Sequence, residues 1–192
     1  GSLWWEVIGH INTLDMEVSF FLSAAILAFV FAQRDAATPR ENRNGMWLGW
    51  LMLALAILSK GLIGLVLPFA TLCAYSLWQR DFAIWRRLHL ISGLALLLAV
   101  TAPWFIAVSL ANPEFAHFFF IHEHFERFPT KVHGRYEPPW YFVPILVIGV
   151  MPWLGGLATM LPGAIRRTAA TGFQPQRFLL LWCLVVFGFF SV

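Results

Sequence analysis

Six long apolar runs, parted by short charged connections, constrain this chain more than any other feature of it. They occupy roughly residues 18–33, 46–58, 61–78, 90–111, 140–161 and 178–192. A helix needs about 20 apolar residues to cross the hydrocarbon core of a bilayer, and inside that core the backbone can be satisfied only within helices or a closed barrel. The predicted fold class is therefore all-α: a polytopic membrane protein of about six transmembrane helices, the second borrowing flanking residues to cross. Composition removes the soluble and disordered alternatives. Hydrophobic residues make up 59% of the 192 positions and charged ones 12%, whereas a soluble domain carries about 25% charged residues. The last run is still apolar at Val192, and the first residues lack a basic segment followed by a cleavage site. The expectation is a partial transmembrane domain over residues 1–192, truncated at both ends.

The formal net charge of +3 is not gathered on one polar face, so nucleic acid is not an expected partner. Its distribution instead assigns orientation. Arg34, Arg40, Arg43, Arg80, Arg86, Arg87, Arg166, Arg167 and Arg177 fall on one alternating set of connections, and Lys60, Arg127, Lys131 and Arg135 on the other. Lys and Arg accumulate in cytoplasmic loops, which places the first set inside, where they are expected to serve as simple anchors. The outer set collects seven of the ten acids and five of the six histidines. A polar site at the outer surface is the consequence. Charges are almost absent within the runs, which argues against a transporter or flippase of a lipid-linked sugar, the alternative reading, because such a protein lines a path through the bilayer with polar groups. Cys73 and Cys183 sit inside apolar runs as small hydrophobes.

Among outer residues, Lys60 lies at the tip of Ser59-Lys60-Gly61, between the second and third runs. It is either a lysine snorkelling to the headgroups or a fixed cation beside a helix start, where phosphate is also favoured. Asp15, in Asn12-Thr13-Leu14-Asp15-Met16-Glu17, is either a helix N-terminal acid or a carboxylate at the mouth of a site. Residues 112–139 form a long outer loop in which Phe115, Phe118, Phe119, Phe125 and Phe128 recur at helical spacing against Glu114, Glu123, Glu126 and Arg127. That pattern predicts an amphipathic helix in the interface plane. His122 and His124 would point about 200° apart on it, so at most one of them binds a divalent metal, with a carboxylate from another loop. His122 is the candidate. Arg127 offers a bidentate fork to phosphate, or pairs with Glu123 one turn earlier.

Taken in order, Asn12-Thr13-Leu14-Asp15-Met16, Ser59-Lys60-Gly61, Pro103-Trp104, the stretch from Phe118 through His122-Glu123-His124 to Arg127-Phe128, Pro139-Trp140-Tyr141 and Pro152-Trp153 resemble the bacterial aminoarabinose lipid A transferases. These stand with the protein O-mannosyltransferases among the multi-spanning, GT-C-type glycosyltransferases. The resemblance covers nearly the whole chain. It implies transfer of a sugar from an undecaprenyl- or other polyprenyl-phosphate donor to a lipid A-like or protein acceptor, among membrane lipids, on the periplasmic face of the bacterial inner membrane. It also implies that Lys60 and Arg127 hold the donor phosphate, that Asp15 is a supporting acid, and that the His122 segment covers the donor. The family's first outer loop, which carries the acid usually assigned as base, has no counterpart in these 192 residues. The expectation is a stretch that lacks the main base.

Overall fold

The structure, a computed structural model, describes residues 14–80, 82–112, 114–115, 141–151, 154–165 and 172–191. All regular structure among them is helical: α1 Leu14–Gln33, α2 Pro39–Lys60, α3 Ile63–Gln79, the short α4 Ala83–Arg86, α5 Leu90–Ala111, α6 Phe142–Gly149, α7 Leu154–Ile165 and α8 Pro175–Ser191.

The helices alternate in direction. At one end of the bundle the first turn of α1 meets the last residue of α2, through Asp15 and Lys60. At the other end the Asn42 amide of α2 donates to the Ala32 carbonyl of α1 at 2.9 Å. The third helix returns to this second end, where Arg177 near the start of α8 donates to Gln79 Oε1 at its terminus. There too α5 begins, Trp47 Nε1 donating to Ser92 Oγ at 3.2 Å, and α8 then runs back until its Phe189 packs with Val18, Leu22 and Leu67. Seven of the eight described Lys and Arg residues sit at the second end, and Lys60 alone at the first. The alternation of charge along the sequence is thus an alternation in space.

Small residues let α1 and α2 approach closely. Ala25, Ala28 and Ala32 line one helix, and Gly45 and Gly49 face them from the other; a Cβ on Gly45 would come within 2.9 Å of the Ala32 methyl. Without a hydrophobic driving force between helices in lipid, such close backbone packing is a main source of association. A ring cluster fastens α8 to this pair: Phe178 lies 4.6 Å from Phe29 and 5.6 Å from Tyr75, centroid to centroid.

One expected span takes up flanking residues as the sequence reading requires, and another differs from it. The second is a longer helix, beginning at Pro39, because Thr38 caps it: the Thr38 side chain accepts from the Glu41 N–H while the Glu41 carboxylate accepts from the Thr38 N–H. The reciprocal pair satisfies two donors that a helix start otherwise leaves open. The fifth is two helices, α6 and α7, bent by 108°. Of the six spans expected, two among the described residues, within α1 and α5, are long and apolar enough to cross by themselves, or three if the bent pair counts as one. The reasons are local. The α2 helix carries Arg40, Glu41 and Arg43 in its first turns, while α3 and α8 have 17 residues each, the lower limit for a crossing helix of roughly 17–25.

Candidate functional site

Lys60 is the last residue of α2, and only Gly61 and Leu62 separate it from α3. The chain reverses here because Gly61 takes φ 86° while its N–H donates to the Ile57 carbonyl at 2.8 Å. A side chain disfavours that left-handed region and glycine does not. Lys60 therefore belongs to the C-terminal turn of α2, where a cation is favoured by the helix dipole, rather than to the start of α3 itself. Asp15 lies in the first turn of α1, the favourable place for an anion. The helix-start position expected of Asp15 holds and that expected of Lys60 does not, and the structure adds what neither expectation contained: the Lys60 ammonium donates directly to an Asp15 carboxylate oxygen. The side chains keep 42% and 67% of their exposure, so the pair faces out of the bundle. Glu17, two residues on in α1, is exposed as well.

Arg127 and His122 lie outside the described residues, as does the loop beyond Phe115. Among the described residues, no group of His, Cys, Asp and Glu could hold a metal ion.

The opposite end carries polar structure that the sequence reading took for simple anchoring. Arg87 forks onto three carbonyls that close α1: Nη1 donates to Gln33 O, and Nη2 to Ala32 O and Arg34 O, at 3.1–3.3 Å. The Gln33 amide returns a bond to the Arg87 carbonyl. His89 meets Asn42 Oδ1 at 3.0 Å, and Trp50 donates to Leu88 O at 2.9 Å. Arg177, only 3% exposed, donates to Ala164 O and Gln79 Oε1 and lies 5.9 Å from the Trp78 ring centroid. This is a fastening rather than a site. The neighbouring cavity of about 70 Å³, lined by Phe29, Met46, Trp50, Trp85 and Phe178, is apolar and offers no group for proton or phosphate chemistry. Of the site residues expected from sequence, the two that fall among the described residues, Asp15 and Lys60, are at the other end.

Residues 7–119 match the profile of the dolichyl-phosphate-mannose-protein mannosyltransferase family. The chain belongs to that family. It is 36% identical over 190 residues to undecaprenyl phosphate-alpha-4-amino-4-deoxy-L-arabinose arabinosyl transferase 1 of Proteus mirabilis, a match covering 96% of this chain and 32% of the relative. The corresponding arabinosyl transferase of Shewanella sediminis is 34% identical over 188 residues, with 96% and 33% covered. In three dimensions the chain is similar to ArnT from Cupriavidus metallidurans bound to undecaprenyl phosphate, with TM-score 0.88, 37% identity, and coverage of 97% of this chain and 33% of that one. The apo form of the same protein gives TM-score 0.85. The chain spans about a third of the length of the relatives it matches. Membership also fixes the fold as that of an all-α membrane protein, as the apolar runs require.

Proposed function

We propose that this chain is part of an integral-membrane glycosyltransferase that moves a sugar, of the 4-amino-4-deoxy-L-arabinose class, from a polyprenyl-phosphate donor to a lipid A-like acceptor. The reading is supported above all by one observation: over 97% of its length the chain follows the backbone of a protein bound to undecaprenyl phosphate. In this reading the Lys60 end of the bundle lies on the periplasmic side of the inner membrane, and the arginine-rich end lies inside.

The chemistry asks little of the protein beyond charge and position. The bond between the sugar's anomeric carbon and the phosphate oxygen breaks with its electrons going to the phosphate. An acceptor oxygen bonds to that carbon and gives its proton to a carboxylate base. Cations aimed at the phosphate stabilise the charge that develops there, and Lys60 with Arg127 take that role. The main base belongs to the part of the relatives' length that lies outside these 192 residues, with Asp15 in support and the His122 segment over the donor.

In the full-length protein, Lys60→Ala and Arg127→Ala should each lower donor use by roughly ten- to a hundred-fold, the equivalent of losing a charge-assisted hydrogen bond of about 1.5–3 kcal/mol. Unchanged donor kinetics in both variants would return these residues to snorkelling and helix pairing.

A further inference from the structure

The ion pair between Lys60 and Asp15 raises a question that a phosphate-binding lysine alone does not: what its counter-ion does when phosphate arrives. Resting on the donor reading above, we propose that Asp15 is a positioning residue that holds Lys60 between turnovers and, as a fixed anion beside the departing phosphate, favours release of the product.

Four observations carry this. The Lys60 ammonium is engaged by Asp15, so a phosphate must compete for it. Both side chains are substantially exposed, so the exchange takes place in contact with solvent and leaves no carboxylate stranded in a dry interior, the circumstance that makes buried pairs hard to break. Asp15 sits in the first turn of α1, whose dipole keeps a carboxylate favourable after its cation turns away. Finally, α1 and α2 are pinned side by side by the alanine and glycine seam, so the carboxylate stays near Lys60 whichever anion that lysine holds.

The effect depends on a change of charge that the reaction itself makes. The donor is a phosphodiester, with one negative charge. When the sugar leaves, the electron pair of the broken bond stays on the phosphate oxygen, and the polyprenyl phosphate formed is a monoester whose second ionisation lies near pH 6. At pH 7 it is mostly dianionic. A carboxylate nearby therefore repels product about twice as strongly as donor, since Coulomb energy is proportional to charge. Asp15 needs to exchange no proton for this.

The test is equilibrium binding to the full-length protein at low ionic strength, using undecaprenyl phosphate and its methyl phosphodiester as paired probes. Asp15→Asn should tighten the monoester about ten-fold and the diester about three-fold, the square relation that doubling the charge requires. The ratio should shrink as salt screens the interaction, and Asp15→Glu should keep the wild-type ratio. If Asp15→Asn abolishes turnover while leaving the two affinities in their wild-type ratio, Asp15 is a proton acceptor and the proposal is wrong. If it only lowers thermal stability, with the ratio again unchanged, the pair is a helix fastener and the proposal is equally wrong. Lys60→Ala separates this from failure of the underlying reading. Weaker binding of both probes upholds the phosphate assignment whatever Asp15 does, whereas wild-type binding of both removes the assignment and the inference with it.

Discussion

A Cβ placed on Gly93 would fall 2.0 Å from the Trp50 indole nitrogen. That nitrogen cannot retreat without giving up its bond to the Leu88 carbonyl. Gly93→Ala is therefore expected to overpack the α2–α5 contact and cost about 1–3 kcal/mol, read as a lower thermal midpoint of the purified protein in detergent. Gly61 makes a different demand, on its backbone: at φ 86°, Gly61→Ala should cost about 1–2 kcal/mol and disturb the placement of Lys60. Lys60 itself was legible in the sequence, because a single cation flanked by a glycine between two apolar runs stands out. Its pairing with Asp15 was not, since 45 positions separate the two and nothing local reports which helix ends will meet.

For single elements, the C-terminus of α1 shows what a membrane helix needs where it leaves the hydrocarbon. The last four carbonyls of any helix lack partners inside it, and in α1 the Arg87 fork and the Asn42 amide supply them for Ala32 and Gln33, and Arg34 Nε for Phe31. Arg87→Ala should lower stability by about 1.5–3 kcal/mol, the range for hydrogen bonds to a charged group. Arg87→Lys should restore little of it, because an ammonium cannot reproduce the planar fork. Comparing the thermal midpoints of the two variants checks both statements. This role was hidden because positive charge in a connection reads the same whether it anchors to headgroups or closes a helix 50 residues away. The start of α2 was different. Thr38-Pro39-Arg40-Glu41 carries both a capping-box pattern and a proline at the first helical turn, a signal present in the sequence but overshadowed by the apolar run that follows.

For the whole molecule, the alternating placement of Lys and Arg translated directly into two ends, and this was the most legible feature because it depends only on chain direction reversing at each connection. Sidedness is open to measurement. In a background with Cys73 and Cys183 replaced by alanine, Glu17→Cys should react with an impermeant thiol reagent applied from the periplasm, and Arg86→Cys should not; labelling of both from one side would overturn the topology. Less legible was which helix faces are covered within these residues. Only 11% of the apolar window in α5 is covered, with Ile91 at 91% and Leu110 at 80% exposure. Apolar runs cannot disclose this, because a lipid-facing and a protein-facing leucine are the same residue.

The two ends are fastened unequally. The arginine end holds α1, α2, α3, α5 and α8 through the Arg87 fork, the Asn42–His89 contact, the Trp50 bond and the Arg177–Gln79 pair, while at the lysine end α1 and α2 meet through one solvent-facing ion pair over the apolar contacts of Val18, Leu22 and Ala56. Directional polar bonds therefore fix the arginine end, whereas mainly non-directional apolar contacts hold the lysine end. Over a helix of roughly 30 Å, a tilt of about 5° at the arginine end would carry the far tip about 2–3 Å. In the proposed function, the end that takes the lipid donor is thus the one whose helices can shift against each other without first breaking a network of hydrogen bonds.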